Sequence, residues 1–160
     1  MREGRGITVG DDCPFCRLQV GVFDYRNRAH DVVGVTQRAY ARIAPKWWPA
    51  NAGGALVIPR HHVENLYDIS QVDGHAVWDL TQRVAAAMRS SYGCQGVSIR
   101  QHNEPAGGQD VWHLHVHVLP RYQNDELYQR HLEARWVPAD ERRPFADLLR
   151  ASVQLPTSFS

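Results

Sequence analysis

Three histidines stand at every second position in GQDVWHLHVHVLPRY, residues 108–122: His113, His115 and His117, separated by apolar residues. Along an extended chain successive side chains point to opposite faces. The spacing therefore predicts a strand with the imidazoles on one face and Leu114, Val116 and Val118 on the other. Burying three imidazoles together is costly unless each has a hydrogen-bond or metal partner. Imidazole also suits phosphorus chemistry: with an unperturbed pKa of about 6.5 it is largely neutral and nucleophilic near neutral pH, and a neighbouring imidazolium can give up a proton. Just ahead of the row, Gly107 and Gly108 permit positive φ and close approach of backbone N–H groups to an anion, and Gln109 adds a neutral amide.

A second group of reactive side chains is Cys13-Pro14-Phe15-Cys16. A C-x-x-C pair supplies half of a tetrahedral zinc site, the other two ligands coming from His61 or His62 and one member of the histidine row. The same spacing occurs in redox pairs at a helix N-terminus, with residues 7–10, ITVG, as the preceding strand. That reading needs a helix directly after the second cysteine within a βαβ unit, whereas residues 17–25, RLQVGVFDY, read as extended. A metal-free packing role is the third reading. Cys94 reads as a buried thiol.

These groups must be positioned by the rest of a 160-residue chain, long enough to bury about two thirds of its unfolded surface as one domain over residues 1–160. Eighteen Lys and Arg against seventeen Asp and Glu exclude the basic excess of a dedicated nucleic-acid or membrane-surface binder. The N-terminal stretch MREGRGITVGDDC has no apolar run resembling a signal peptide, and no later stretch approaches a membrane span, so a cytoplasmic protein is expected. Three cysteines in a reducing compartment do not make a disulfide framework.

Residues 17–25, HDVVGVTQ and AYARIA suggest three strands of an antiparallel meander, and GGALVIP, residues 53–59, a fourth. Across residues 70–92 the apolar positions Val77, Leu80, Val84, Ala87 and Met88 recur at helical spacing, with Ser70 and Asp73 as a capping box and Gly93 closing the end. Residues 97–103 alternate again and form a hairpin with the histidine strand. A last helix over residues 139–152 presents Phe145, Leu148 and Leu149 as a face. Sequential strands plus two main helices predict an α+β fold with an antiparallel sheet.

H-L-H-V-H-V-L, residues 113–119, resembles the signature of the histidine triad family, nucleotide-binding hydrolases and transferases. The similarity extends through GALVIPRHHVENL and through Asn103 to the paired glycines, covering residues 12–122. It implies a five-stranded antiparallel sheet with two helices, a homodimer, and a nucleotide substrate attacked at its α-phosphate. Under that resemblance His115 is the nucleophile and becomes transiently nucleotidylated, His117 holds phosphoryl oxygens, and His113 orients the site. Asn103, Gly107, Gly108, Gln109 and Asp110 form the substrate-binding loop. Members with an N-terminal C-x-x-C bind structural zinc, here through Cys13, Cys16, His62 and His113.

The chain departs from the family pattern in three places. Asp110 replaces the usual Ser or Thr, and its carboxylate either turns away, is protonated, or pairs with a cationic leaving group. Arg42 stands where many relatives hold ribose hydroxyls with an acidic residue. The tract APKWWPANAGG is longer than usual, and its Trp47 and Trp48 either stack on a base or pack beneath the sheet, packing being the expectation. The expected activity is cleavage of a phosphoramidate, acyl adenylate or dinucleoside polyphosphate, adenosine being the expected nucleoside. The alternatives are a non-catalytic nucleotide-binding regulatory module and a redox protein. The LPRY ending, residues 119–122, points toward the dinucleoside polyphosphate branch or general bacterial members.

Overall fold

In the computed structural model, which describes residues 12–160, the chain forms seven strands and three α-helices. The N-terminal stretch MREGRGITVGDDC and the ITVG strand of the redox reading fall largely in residues 1–11, outside the described residues. In chain order the elements are α1 (Pro14–Gln19), β1 (Val32–Val35), β2 (Ala39–Ile43), β3 (Lys46–Trp47), β4 (Ala55–Pro59), α2 (Gln71–Ser91), β5 (Gly96–Gln101), β6 (Val116–Arg121), β7 (Arg135–Trp136) and α3 (Ala139–Val153). Five strands make one antiparallel sheet in the order β1-β2-β4-β6-β5, and β3 pairs with β7 apart from it.

Register divides the sheet into two faces. Ala41, Val57 and Val116 lie side by side, as do Ile43, Ala55 and Val118; all join the buried apolar cluster that includes the inner stripe of α2. On the opposite face Arg42, Leu56, His117 and Arg100 form one row across β2, β4, β6 and β5. The α2 stripe is as expected: Val77, Leu80, Val84, Ala87 and Met88 are buried, and the Ser70 hydroxyl accepts the Asp73 N–H at 3.1 Å. Gly93, just beyond, takes φ +65°, a backbone shape that glycine adopts without penalty.

The strand expected over residues 17–25 is not formed. Pro14 opens α1 with its φ already helical, and the chain then turns at Gly21 (φ +75°). The alternation of Leu18, Val20 and Val22 misled because only Leu18 is buried; Val20 is 75% exposed. So short a helix is marginal alone. Tertiary contacts hold it: Phe15 and Leu18 are buried, and the Tyr40 hydroxyl donates to the Phe15 carbonyl at 2.8 Å.

The last helix falls where expected, but its buried stripe is Arg142, Ala146, Leu149 and Val153, with Leu148 facing outward. Phe145 packs edge-on against Trp47 and Tyr92. Trp47 is buried and donates its indole N–H to the Ala44 carbonyl at 2.7 Å, so for this residue packing holds. No helix among the described residues is long and apolar enough to cross a membrane.

Candidate functional site

The histidine row is not a continuous strand. β6 begins only at Val116, so His117 is a strand residue while His113 and His115 lie in the irregular run ahead of it. The rings nevertheless gather. Those of His115 and His117 are 5.0 Å apart, and Phe15 of α1 packs edge-on against both His113 (5.7 Å) and His115 (5.2 Å). Leu114 points away and is buried, its N–H bonded to the Val63 carbonyl.

Backbone carbonyls set two of the tautomers, because a carbonyl can only accept. His113 donates Nε2–H to the Pro59 carbonyl at 2.8 Å, which leaves the Nδ1 lone pair aimed at the cysteines. His115 donates Nδ1–H to the His113 carbonyl at 2.8 Å, which leaves the Nε2 lone pair free. Burial lowers the pKa of each triad histidine: His113 to about 4, His115 in spite of its bond to the His113 carbonyl and the nearby Asp110, and His117 well below its ordinary value with help from His115, His102 and Arg100. Neutral imidazoles result.

Cys13, Cys16, His62 and His113 come together with all ligand atoms within 4.8 Å of one another. Cys13 Sγ lies 3.3 Å from His113 Nδ1, and Cys16 Sγ lies 3.4 Å from His62 Nδ1 and 3.6 Å from His113 Nδ1. A tetrahedral S₂N₂ zinc site with Zn–S of about 2.3 Å and Zn–N of about 2.0 Å has edges of about 3.5 Å. The donor set fits, and the Pro59 carbonyl fixes one ligand's tautomer from behind. Of the two histidines open at the sequence level, His62 turns inward while the His61 side chain is 83% exposed beside Asp73. Burial and the neighbouring Cys13 push the Cys16 thiol up to about 12, the reverse of an activated redox thiolate. A helix is present as α1, but every pairing in the main sheet is antiparallel and, among the described residues, no βαβ unit surrounds it. Cys94 is buried, as expected.

The loop between β5 and β6 differs from expectation at Gln109. That side chain is buried: its Oε1 accepts the Glu104 N–H, and its Nε2 donates to the carbonyls of Glu64 and Val111. It braces the loop and presents no free amide. Asn103 is engaged too, accepting the Leu66 N–H at 2.7 Å and bonding the Gln101 amide. Gly108 has φ +87°, with its carbonyl 3.2 Å from His102 Nδ1; Gly107 is exposed with open space around it.

Two of the departures change meaning. Asp110 does not turn away: Oδ1 lies 3.7 Å from His115 Nε2, the side chain otherwise 76% exposed. Arg42 does not line an open pocket. It is fully buried, bonded to Asn27, the Arg26 and Ile43 carbonyls and Asp31, whose carboxylate also takes a bidentate contact from buried Arg142. Nothing in the sequence pattern marked the partner Arg142, 111 residues from Asp31. Arg100 and His102 were also missed. The i, i+2 spacing of Arg100 on β5 and His102 just past its end was the available signal, since Arg100 pairs with His117 in register and the His102 ring lies 5.7 Å from that of His117.

The HIT domain model matches residues 27–124. "Protein hit" of Bacillus subtilis is 33% identical over 70 residues, 44% of this chain and about half (48%) of that protein. The bis(5′-adenosyl)-triphosphatase of Dictyostelium discoideum is 23% identical over 137 residues, 82% of this chain and 87% of that one. Among solved structures, a Zn-bound histidine triad family protein from Mycobacterium smegmatis superposes with a TM-score of 0.73 at 26% identity, covering 89% of this chain and 94% of its own. With its family model spanning more than half the sequence, the chain belongs to the HIT domain family.

Proposed function

We propose that this protein is a nucleotide hydrolase or nucleotidyl transferase that cleaves a P–N or P–O–P bond at the α-phosphorus of an adenosine-type nucleotide. One observation carries the reading: the His113 carbonyl holds His115 with Nδ1 protonated and the Nε2 lone pair free, the tautomer a nucleophile requires. The adenosine preference is supported by the name of the Dictyostelium relative.

In the first step His115 Nε2 attacks phosphorus, the bond to the leaving group breaks, and a nucleotidyl-histidine forms. In the second, water attacks the same phosphorus, the P–N bond to His115 breaks, and a nucleoside monophosphate departs. His117 holds phosphoryl oxygens, and Gly107, Gly108 and Asn103 shape the loop beside them. Gln109 braces that loop from within. Cys13, Cys16, His62 and His113 would hold zinc, which supplies a cross-link between α1, the end of β4 and the run ahead of β6. The reading includes a homodimer in a reducing, cytoplasmic setting; β5, an edge strand with Ile99 exposed, is the edge open to pairing.

The test is turnover of adenosine 5′-phosphoramidate, lysyl adenylate and diadenosine tetraphosphate, with rapid quench to trap labelled enzyme. Wild type is expected to form the adduct, and His115→Ala to lose both the adduct and at least 10³-fold in rate, about 4 kcal/mol. Binding of AMP with no turnover of any substrate would instead identify a non-catalytic nucleotide-binding module.

A further inference from the structure

The carboxylate nearest the candidate nucleophile belongs to Asp110, with Oδ1 3.7 Å from His115 Nε2. Among the described residues it meets no Lys or Arg side chain, so its charge faces the reaction space. Its place is held from behind: the preceding residue, Gln109, is tied to the backbone at 64, 104 and 111. Charge around the triad is therefore divided. Arg100 lies beside His102 and in register with His117, whereas Asp110 lies beside His115.

A phosphorus atom seated on Nε2 brings its substituents within reach of this carboxylate. A phosphoryl oxygen there meets like charge, while an N–H donor meets a strong acceptor. We propose that Asp110 selects substrates by the charge of the leaving group, favouring a positively charged amine over a polyphosphate. The proposal rests on the reading of His115 as nucleophile.

The bridging nitrogen of a phosphoramidate takes a proton from water, becoming P–NH₂⁺–R and leaving a hydroxide that attacks phosphorus in the second step, and one of its N–H groups donates to the Asp110 carboxylate. His115 Nε2 then forms its bond to phosphorus, the P–N bond breaks with both electrons going to nitrogen, and the amine leaves with that nitrogen uncharged and any second ammonium retained. A polyphosphate leaving group carries several negative charges and has no N–H to donate. This orders the substrate classes differently from the LPRY ending, which pointed toward dinucleoside polyphosphates.

The experiment compares kcat/KM for three substrates: an adenosine 5′-phosphoramidate of ethylenediamine, whose leaving group bears an ammonium; the ethylamine counterpart, which lacks it; and diadenosine tetraphosphate. Wild type, Asp110→Ser and Asp110→Asn are measured. Wild type is expected to rank them in that order, and both variants to lower the ratio of the first to the third at least tenfold. An equal loss on all three substrates would overturn the proposal, since Asp110 would then act only on the imidazole. So would a wild-type preference for the tetraphosphate that the variants weaken. Wild type inert toward all three removes the nucleophile reading itself, and the selection proposal with it; an active wild type with unmoved ratios removes only the latter.

Discussion

At the scale of single residues, the site is defined by which lone pairs are left over. His113 and His115 are two residues apart, yet each gives its proton to a different backbone carbonyl, and the free nitrogen of one faces sulfur while that of the other faces the reaction space. Gln109 shows the same economy, for its amide makes three backbone bonds, two within the loop and one to the Glu64 carbonyl, and presents no free N–H to a ligand. Gln109→Ala removes all three. It is expected to cost about 1–3 kcal/mol in urea denaturation and to lower kcat/KM while Asp110 and His115 are still present. Unchanged stability would mean that the loop is braced elsewhere.

At the scale of elements, the end of β6 is held by Asp125. Its carboxylate takes Arg121 Nε at 2.8 Å and Nη2 at 2.9 Å, the Asn51 amide at 2.8 Å, and the Tyr122 and Leu127 N–H groups. The LPRY ending therefore works as a clamp between β6, the segment after it and the long tract before β4. The Arg121 hydrogen bonds, against the effect of burial, hold the Asp125 carboxyl well below the usual carboxylate range. A depressed folded-state pKa stabilises the fold above the unfolded value of about 3.9, and this contribution fades as pH falls below that point. Asp125→Asn should then cost about 3 kcal/mol at pH 7 and distinctly less near pH 2.5, read by urea denaturation at both values. An equal cost at both would show that the clamp does not depend on the charge.

At the scale of the whole molecule, the four proposed metal ligands join three parts of the chain: α1, the segment after β4 and the run ahead of β6. Zinc there would tie α1 to the adjoining ends of β4 and β6, which the sheet already pairs. In zinc peptides metal binding and folding are one event worth about 10–16 kcal/mol, but a domain with its own core shows far less of it as stability. Cys16→Ala and His113→Ala are expected to purify without zinc and to melt about 5–10 °C lower, the equivalent of roughly 2–3 kcal/mol. His115→Ala should keep stoichiometric zinc and a near-native melting temperature. Elemental analysis and thermal denaturation decide it, and light scattering on the same samples tests the proposed homodimer. A wild type purified without chelator that carries no zinc would return Cys13, Cys16 and His62 to packing roles.

By itself the sequence determined most of what repeats locally, the loose alternation of residues 17–25 excepted. The 3.6-residue stripe of α2, the span of α3, the strands β1, β2 and β4 of the main sheet and the hairpin of β5 and β6 follow from side chains that alternate or recur within a few positions. The histidine row and the C-x-x-C pair were legible as chemistry for the same reason. Tertiary structure decided what depends on residues far apart in the chain. It selected His62 over His61, buried Arg42 against Asp31 and Arg142, folded residues 14–19 into a helix beneath Tyr40, and turned Asp110 toward His115. None of these has a period to detect. A short helix or a buried ion is stable only through partners brought in by the fold, and a side chain in an irregular loop takes its direction from those partners.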